Sequence, residues 1–430
     1  MTTLEVGADS AVRCAFCDSQ SLSSIIDFGR MALAGAFLKP QQFANERKYP
    51  LRLYFCNACY AVQIIDRVSP DVLFSNYFYF SSSIRTLREH FVHYAGEVVG
   101  RFLPAPQRSV VVEIGCNDGV LLGPLADQGI GAVIGVDPAT NVVGTISDPR
   151  ITVVNDFFDE RVAERISASH GNVDMVVANN VYAHIPDIQG TTRAIRKVLK
   201  PDGVFVFEVH YLGKIIHELQ YDMIYHEHLY YHSLLSLDNH FDRYDMMIFD
   251  VKPVPIHAGS MRYYVCNKGS RHKSSVSPQV AALRAAEEAS GFHKAETFAR
   301  FAADVADRKR RLMELLLDIR ASGRTVVGYG ASGRANTLLQ YCGISHEHME
   351  SIIDDAPAKT GFYTPGSHFL IRTNSVLRES PPDYLLIFAW SFLSEITQKC
   401  IEFLRRGGRL IVPLPDVRVI TQQVPGSERL

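Results

Sequence analysis

The stretch that decides the fold is Val110-Val111-Val112-Glu113-Ile114-Gly115-Cys116-Asn117-Asp118-Gly119. Its first five residues are mostly apolar and β-branched, which favours a buried strand. The residues after the strand are small or form turns, so the backbone there can pass close to a ligand. Because ligands of open α/β sheets bind beyond the carboxyl ends of the strands, the stretch predicts a ligand site at residues 113–119.

Further apolar segments of strand length follow this stretch, and helical patterns separate them. They lie at residues 132–136, 151–154, 173–178 and 204–208. A second series begins after a charged helical stretch and comprises residues 325–333, 351–354, 384–389 and 409–412. This alternation predicts parallel strands with crossover helices, and therefore an α/β fold. Residues 209–275 are rich in His and Tyr, break the period and are interpreted as inserted active-site structure.

The size and charge of the chain limit the kind of protein that it forms. At 430 residues it exceeds what one hydrophobic core usually organises, so two or three domains are expected. A formal net charge of −2 and a pI near 6.8 lack the excess of positive charge typical of nucleic-acid binders. The sequence shows neither a signal-like start nor an apolar run of membrane length. We therefore expect a cytoplasmic enzyme that acts on small molecules, without nucleic-acid or membrane partners.

Four of the eight cysteines form two Cys-x-x-Cys pairs, Cys14 with Cys17 and Cys56 with Cys59. Four soft thiolates can close a tetrahedral Zn²⁺ site, which leaves no open position and makes such a site structural. In a reducing compartment these pairs indicate metal ligation before disulfides. A redox role or unpaired thiols stay open as alternatives, because the two pairs lie far apart in the sequence. We predict a small zinc-binding module at the N-terminal end.

An acidic residue ends the second predicted strand, in Gly135-Val136-Asp137-Pro138. A carboxylate at this position can accept both ribose hydroxyls of an adenosine. The preceding loop is not Gly-x-Gly-x-x-Gly, and Asp118 would face a dinucleotide pyrophosphate with the wrong charge. A methionine moiety carries an amino group and a sulfonium, which tolerate carboxylates. The residues favour S-adenosylmethionine, although a dinucleotide-binding dehydrogenase shares part of this logic.

Polar residues also follow the third and fourth predicted strands. After the third strand, Asp156 can accept the adenine amino group and Phe157 can stack on the base. Each of these alone is more typical of a turn or a core aromatic, but their placement after successive strands favours binding. The predicted cofactor-binding residues are Glu113, Gly115, Asn117, Asp118, Gly119, Asp137, Pro138, Asp156, Phe157 and Asn179.

A cluster of titratable side chains lies at Tyr225-His226-Glu227-His228. Desolvating several ionisable groups is costly unless they pair or work, so the cluster indicates a functional site. A neutral imidazole, with an ordinary pKa of about 6.5, suits proton transfer near neutral pH, and a neighbouring carboxylate can fix its tautomer. A His-Glu-His metal site is the competing interpretation, although the adjacent spacing does not match the helical zinc motif.

These motifs resemble a known family, the sugar C-methyltransferases of deoxysugar biosynthesis, and the resemblance runs nearly end to end. Tyr-His-Glu-His and the Asn-Asp-Gly form of the cofactor loop are its specific elements. Besides the cysteine pairs, it is carried by Tyr79-Phe80-Ser81-Ser82, residues 113–119, Asp137-Pro138-Ala139-Thr140-Asn141, Asn180-Val181-Tyr182-Ala183-His184-Ile185, Ile224-Tyr225-His226-Glu227-His228, His257-Ala258-Gly259-Ser260-Met261-Arg262, Asn336-Thr337-Leu338-Leu339, and residues 354–366 and 383–390.

The resemblance implies a protein of three parts. A zinc-binding domain would span residues 1–70, and a Rossmann-like S-adenosylmethionine methyltransferase domain would span residues 71–275. A C-terminal Rossmann-like α/β domain at residues 276–430 would assist nucleotide-sugar binding. The coarse series of strands described above agrees with this division.

The resemblance also implies roles for individual residues. His228 would be the catalytic base, with Tyr225 and Glu227 orienting the base or the sugar. Tyr79 and His184 would line the same cavity. Arg334 stands where relatives more often carry Lys, and its positive charge suits bidentate binding of a diphosphate. The candidate substrate-binding residues are Ser81, Ser82, Arg262, Tyr329, Arg334 and Asn336.

These residues and the resemblance together lead us to expect an S-adenosylmethionine-dependent C-methyltransferase with structural zinc. The expected substrate is a 4-keto-deoxysugar linked to dTDP or GDP, methylated beside the keto group through an enolate, with C3 favoured over C5. The expected assembly is a monomer or a weak dimer. Two other classes stay open. One is a nucleotide-sugar oxidoreductase that uses the loop at residues 328–333 with Asp354, and the other is a non-catalytic nucleotide-sugar-binding protein.

Overall fold

Residues 12–74 and 80–421 are described in a computed structural model of the protein. They form two compact units, each assembled from separate chain segments. Unit 1 comprises residues 12–24, 53–74, 80–213 and 229–297, and unit 2 comprises residues 25–52, 214–228 and 298–421. Units assembled in this way do not test boundaries drawn along the chain, so the division at residues 70 and 275 stays a prediction.

The described residues contain seventeen β-strands and fourteen α-helices. The strands are β1 Leu22–Ala32, β2 Lys48–Cys56, β3 Val62–Ile64, β4 Val110–Ile114, β5 Ala132–Val136, β6 Ile151–Val154, β7 Val173–Asn179, β8 Leu199–His210, β9 Tyr230–Tyr231, β10 Met246–Val254, β11 Ser260–Asn267, β12 Val326–Tyr329, β13 Ile352–Ile353, β14 Ile371–Arg372, β15 Tyr384–Ile387, β16 Arg409–Val412 and β17 Arg418–Ile420. The helices are α1 Pro70–Phe74, α2 Arg85–Phe102, α3 Leu122–Asp127, α4 Thr140–Val143, α5 Glu160–His170, α6 Ile188–Val198, α7 Leu212–His217, α8 Leu234–Asp242, α9 Pro278–Ala289, α10 Ala295–Ala321, α11 Gly333–Cys342, α12 Val376–Glu379, α13 Leu393–Lys399 and α14 Ile401–Arg405.

Unit 1 is built on a seven-stranded sheet with the strand order β10-β11-β8-β7-β4-β5-β6. The five strands from β8 to β6 are parallel, which confirms the predicted α/β fold. The interpretation of residues 209–275 as inserted structure is wrong in part, because β11 pairs antiparallel with β8, β10 pairs antiparallel with β11, and both extend this sheet. Strand β11 was not recognised in the sequence because its Tyr and Cys residues do not form a plain apolar run. All eight of its residues are buried.

Strand β4 is covered by helices on both faces, which explains its continuous apolar sequence. Val112 and Ile114 belong to an apolar core that includes residues of α5, α6 and α8. Val111 belongs to a second core that includes residues of α2 and α3. Since successive side chains of a strand point to opposite faces, the apolar residues of β4 contribute to both cores.

Unit 2 contains a six-stranded sheet with the order β14-β13-β12-β15-β16-β17. The strands from β14 to β16 are parallel, and β17 is antiparallel to β16. Helix α11 follows β12 and begins where the Ser332 hydroxyl accepts a hydrogen bond from the backbone N–H of Ala335. It ends at Gly343, which adopts the left-handed conformation that glycine favours.

A four-stranded sheet has the order β1-β2-β3-β9. Within unit 1, Leu53, Tyr54 and Phe55 of β2 pair with β3, and β3 pairs with β9. Strand β2 ends at Cys56 and β3 begins three residues after Cys59, so this sheet adjoins the second cysteine pair. Among the described residues, none of the helices combines the length and the apolar composition needed to span a bilayer.

Candidate active site

The loop after β4 adopts backbone conformations that only a few residue types accept. Gly115 has a φ of 68°, Asn117 of 49° and Gly119 of 78°. A Cβ atom on Gly115 would lie 2.1 Å from Cγ2 of Val181, so no larger residue fits there. The loop therefore needs its two glycines and an Asn, as the predicted binding turn requires.

Asp137 at the end of β5 holds this loop in place. Its carboxylate accepts hydrogen bonds from the backbone N–H of Asn117 at 3.0 Å and of Ala139 at 2.8 Å. Burial raises the pKa of this carboxyl, and the two backbone hydrogen bonds oppose that change. Each carboxylate oxygen has a second lone pair, so Asp137 can still accept from ribose hydroxyls. Pro138 lies between Asp137 and the anchored Ala139.

Buried polar atoms without partners lie at the ends of β4 and β7. Glu113 is 3% exposed, and its Oε1 lies 3.4 Å from Nδ2 of Asn179. Among the described residues, Glu113 Oε2, Asn179 Oδ1 and Asn180 Oδ1 have no hydrogen-bond partner. Such atoms cost about 1–3 kcal/mol each unless a ligand satisfies them. These acceptors fit a ligand that brings hydrogen-bond donors.

The charge of this site also suits a cationic ligand. Burial, with smaller contributions from the neighbouring Asp137 and Asp118, raises the pKa of Glu113 well above its usual value. A positive group placed among these carboxyls would favour their ionised forms. The amino group and the sulfonium of S-adenosylmethionine are two such positive groups, so the residues present fit this cofactor.

Other residues predicted to bind the cofactor or the substrate differ in their surroundings. The backbone N–H groups of Ser81 and Ser82 donate to the side chains of Asn117 and Asp118, each at 3.0 Å, so these two serines lie against the cofactor loop. Tyr79 lies outside the described residues. The Phe157 ring is exposed and available for stacking. The Asp156 carboxylate accepts from Arg161 at 2.8 Å, which lowers its pKa.

The four predicted zinc ligands converge in unit 1. The sulfur atoms of Cys14, Cys17, Cys56 and Cys59 all lie within 4.8 Å of one another. Two sulfur pairs are 3.6 Å apart, close to the roughly 3.8 Å edge expected for a zinc tetrahedron with bonds of about 2.3 Å. No other group of three or more such ligands occurs in the part of the chain that the structure describes. The donor set therefore fits Zn²⁺, and the His-Glu-His metal site is not formed there.

Gln63 is a residue of the zinc centre that the sequence analysis missed. Its side chain is fully buried, and its Nε2 donates to the sulfur of Cys14 at 3.0 Å. Its Oε1 accepts from the backbone N–H of Ala15 at 2.8 Å. A donor to a thiolate spreads its negative charge and fixes the ligand's direction. The only sequence signal is a polar residue in a short apolar strand, four positions after Cys59.

The Tyr-His-Glu-His segment lies in unit 2, where backbone contacts fix both histidines. Nδ1 of His228 lies 2.8 Å from the carbonyl oxygen of Met223, and the nitrogen must donate because a carbonyl only accepts. The His228 and Tyr225 rings pack with centroids 4.1 Å apart. Nε2 of His226 lies 3.2 Å from the carbonyl oxygen of Pro50. The neutral His228 ring therefore carries its proton on Nδ1 and leaves Nε2 as the basic nitrogen.

Glu227 and His184 have different surroundings. The Glu227 carboxyl is half-buried, and desolvation raises its pKa to about 7. His184 lies in unit 1, in a turn after β7 where its backbone N–H donates to the carbonyl of Val181 at 2.7 Å. It is half-buried. The Glu227 carboxyl, with a pKa near 7, can change its ionisation in the pH range in which enzymes work.

Arg262, predicted to bind substrate, lies in a buried charge network of unit 1. It is 2% exposed and donates to Glu208 at 2.6 Å and to Glu97 at 3.0 Å. Its guanidinium lies 3.9 Å from the centre of the Tyr94 ring. His90 contacts the same Glu208 carboxylate at 2.9 Å. These partners were missed, although Glu208 near the end of β8 repeats the placement of Glu113 near the end of β4.

The predicted substrate residues of unit 2 also hold internal contacts. The Tyr329 hydroxyl donates to Asp355 at 2.9 Å. The Asn336 side chain donates to the carbonyl of Ala32 at 3.0 Å, and its Oδ1 has no partner among the described residues. Arg334 pairs with Asp222. Binding of substrate by these residues stays a prediction.

Asp354, the acid on which the oxidoreductase interpretation rests, closes its own loop. It accepts from the backbone N–H of Ala331 at 2.8 Å and of Ala356 at 2.9 Å. The ammonium group of Lys359 lies 3.0 Å from it. Asp354 therefore holds its loop in the same way as Asp137 holds the loop after β4.

Comparisons with known proteins agree with this geometry. Three family models match the chain: a putative zinc binding domain at residues 14–74, a methyltransferase domain at residues 87–248 and a C-methyltransferase C-terminal domain at residues 255–415. The chain is 33% identical to the C-methyltransferase NovU of Streptomyces niveus, over 95% of this chain and 97% of that protein.

Two further similarities cover less of the chain. A ubiquinone biosynthesis O-methyltransferase of Neisseria meningitidis serogroup A is 31% identical over 23% of this chain and 42% of that protein. The crystal structure of the magnesium protoporphyrin IX methyltransferase ChlM from Synechocystis PCC 6803 with bound SAM aligns with a TM-score of 0.32 at 14% identity. That alignment covers 42% of this chain and 79% of ChlM.

The α/β fold, the cofactor loop and the matched methyltransferase domain define the protein as an S-adenosylmethionine-dependent methyltransferase with a four-cysteine zinc site. Within that class, the chain belongs to the C-methyltransferase family that joins an N-terminal zinc-binding domain to a C-terminal Rossmann-like domain.

Substituting Gln63 should weaken the zinc site. Gln63→Leu removes both contacts of this side chain, whereas Gln63→Glu keeps an acceptor for Ala15 and removes the donor to Cys14. Because a donor to a ligand commonly contributes ten-fold or more to metal affinity, both variants should release zinc to a chromogenic chelator roughly ten times faster. Asn57→Ala, at an exposed position between Cys56 and Cys59, is the control. Wild-type release from Gln63→Glu would show that the donor is unimportant.

Substituting Glu113 should weaken cofactor binding. Glu113→Gln removes a buried negative charge, so affinity for S-adenosylmethionine should fall about ten-fold or more in calorimetry. Since burial raises the pKa of Glu113, cofactor binding should release a proton, and wild-type affinity should rise with pH while that of Glu113→Gln does not. Glu160→Gln, at an exposed position of α5, is the control. Equal affinities of wild type and Glu113→Gln would rule out this contact.

Proposed function

We propose that the protein transfers the methyl group of S-adenosylmethionine to a carbon beside the keto group of a nucleotide-linked 4-keto-deoxysugar. The proposed nucleotide is dTDP or GDP, and C3 is favoured over C5. The name of the relative from Streptomyces niveus supports carbon as the methylated atom. The proposal also keeps the three domains at residues 1–70, 71–275 and 276–430, the last of which assists binding of the nucleotide-sugar.

One observation carries the proposal, which is the fixed orientation of His228. Its Nδ1 donates to the carbonyl of Met223, so the proton of the neutral ring lies on Nδ1 and Nε2 is the basic nitrogen. His228 is 5% exposed, so little water competes for that nitrogen. A base of this kind can remove the acidic proton from the carbon next to a ketone.

The reaction then follows from electron balance. Nε2 of His228 takes the α-proton, and the electron pair of the broken C–H bond enters the enolate. Hydroxyl or N–H donors stabilise the developing oxyanion, the role proposed for Tyr225, Tyr79 and His184. The bound cofactor supplies an electrophilic methyl group on a sulfonium. The enolate carbon forms the new C–C bond, and the electrons of the methyl–sulfur bond stay on sulfur.

Glu227 is proposed to assist His228. Its carboxyl, with a pKa near 7, is partly ionised at neutral pH. The ionised form stabilises a nearby imidazolium, whereas the protonated form does not. The fixing of the His228 tautomer, which the sequence analysis assigned to a carboxylate, is provided by the Met223 carbonyl instead.

The proposed reaction can be tested by mass spectrometry in heavy water. The protein is incubated with S-adenosylmethionine and a panel of dTDP- and GDP-linked 4-keto-6-deoxysugars. We expect one sugar to gain one methyl group and to lose its exchangeable α-proton. His228→Asn should abolish both changes, while zinc content and cofactor binding stay unchanged. Methylation on oxygen, or methylation that persists in His228→Asn, would contradict the proposal.

The pH profile tests the part given to Glu227. Because its carboxyl must ionise to assist the base, kcat/KM for α-proton exchange should rise as pH increases through about 7. Glu227→Gln should lose one titration from this profile and lower the rate about ten-fold above pH 7. Glu218→Gln, whose carboxylate pairs with Lys214 on the surface of unit 2, is the control. An unchanged profile in Glu227→Gln would exclude Glu227 as the titrating group.

A further inference from the structure

Asp222 is a buried carboxylate that the proposed reaction does not use. It is 1% exposed and lies in the short turn Tyr221–Met223, just before the Tyr-His-Glu-His segment. The two side-chain oxygens accept three hydrogen bonds. Nε of Arg334 donates to Oδ2 at 2.9 Å, Nη2 of Arg334 donates to Oδ1 at 3.1 Å, and Nε1 of Trp390 donates to Oδ2 at 2.9 Å.

The two donor side chains also contact each other. The guanidinium carbon of Arg334 lies 4.7 Å from the centre of the Trp390 ring, a cation–π arrangement. Nη1 of Arg334 donates to the hydroxyl of Ser391 at 3.3 Å. Arg334 therefore directs one edge of its guanidinium to Asp222 and its face to Trp390. We call Asp222, Arg334 and Trp390 the carboxylate clamp.

Helix α11 holds the residues on both sides of Met223. The hydroxyl of Thr337 donates to the carbonyl of Ile224 at 2.9 Å, and the hydroxyl of Tyr221 contacts the sulfur of Cys342 at 3.4 Å. A Cβ atom on Gly333 would lie 3.5 Å from the ring of Tyr225, so the helix begins against that ring. These contacts fix the backbone from Tyr221 to Ile224, which includes the Met223 carbonyl that accepts from His228.

We propose that the carboxylate clamp positions His228 for catalysis by fixing the Met223 carbonyl that accepts its Nδ1–H. In this proposal Arg334 is a positioning residue. Its guanidinium binds Asp222 and does not bind a diphosphate. The proposal rests on the proposed function only in naming His228 as the base. The orientation and tautomer of the ring are properties of the protein alone.

The physical argument is the cost of breaking the clamp. A bidentate arginine–carboxylate pair with an added indole N–H donor satisfies the buried carboxylate of Asp222. Removing one donor leaves a buried carboxylate short of partners, so the turn must shift to solvate it. Met223 follows Asp222 directly in the turn. The shift of the turn therefore lengthens the hydrogen bond between the Met223 carbonyl and His228. The ring then also populates the tautomer with the proton on Nε2, which has no basic lone pair at the reacting position.

The rival interpretation makes Arg334 a ligand of the substrate's diphosphate. Loss of a ligand weakens substrate binding and raises KM, whereas loss of a positioning contact lowers kcat with little change in KM. Arg334→Lys separates the two because lysine keeps the positive charge but cannot form the bidentate, stacked arrangement. Trp390→Phe keeps an aromatic face for Arg334 and removes only the N–H donor.

The test uses ¹⁵N NMR of the histidine rings in the full-length, zinc-loaded protein. In wild type, we expect His228, identified by its loss in His228→Asn, to show a protonated Nδ1 and an unprotonated Nε2. In Arg334→Lys and Trp390→Phe, the two nitrogen shifts should move toward each other as the tautomers mix. Arg324→Lys alters another arginine–aspartate pair of unit 2, with Asp383, and should leave the His228 spectrum unchanged. A wild-type spectrum in both clamp variants would overturn the proposal.

Kinetics on the same variants supply the second readout. Arg334→Lys and Trp390→Phe should lower kcat for α-proton exchange about ten-fold and leave KM for the nucleotide-sugar within two-fold. A raised KM with an unchanged kcat and an unchanged His228 spectrum would assign Arg334 to the diphosphate instead. If no keto-sugar reacts with wild type, the proposed function fails, while the NMR result still decides whether the clamp fixes the ring.

Folding of the variants can be checked separately from their chemistry. Zinc content should match wild type in both clamp variants, and the thermal unfolding midpoint should fall by a few degrees because a buried carboxylate loses a donor. Trp390 is the single tryptophan of the chain, so its fluorescence reports directly on the clamp in Arg334→Lys. A shifted emission maximum in the folded protein is expected there, and Arg324→Lys should leave the emission maximum unchanged.

Discussion

The burial of β4 and β7 on both faces determines where unit 1 can place polar groups. The middle of each strand packs between two apolar cores, and an unsatisfied polar atom there would cost about 1–3 kcal/mol. Polar side chains are therefore confined to the strand ends, where Glu113, Asn179 and Asn180 have buried polar atoms without partners among the described residues. The loop conformation of residues 115–119, the anchoring role of Asp137 and the raised pKa of Glu113 all follow from this restriction.

The same restriction explains which parts of the fold and site could be predicted from the sequence. The strands β4 to β7 and the residues after them follow local patterns, and parallel strands bring their carboxyl ends to one edge. The four cysteines were predictable because their spacing alone limits the chemistry. Strand β11 was missed because its Tyr and Cys residues resemble a functional segment, and pairing with β8 is what makes it a strand.

Contacts between distant segments were not predictable in this way. Gln63 with Cys14 and Asp222 with Arg334 join residues that no local pattern relates. Arg262 and Arg334 were both expected to bind substrate because they are cationic residues in family motifs. The structure gives each an internal carboxylate and an aromatic face. Residue type indicates that an arginine needs an anionic partner, but only the fold shows whether that partner is already part of the protein.

The choice of a carbonyl as the partner of His228 has a chemical consequence. A carboxylate on Nδ1 would fix the tautomer and also stabilise the imidazolium strongly. The Met223 carbonyl fixes the tautomer with a neutral acceptor. In the proposed reaction, the negative charge would come from Glu227, the preceding residue, whose carboxyl has a pKa raised by burial to about 7. Orientation of the ring and charge stabilisation would then be divided between the Met223 carbonyl and Glu227. The ring would keep its direction at any pH at which it is neutral, while the proposed electrostatic assistance would depend on the protonation of Glu227.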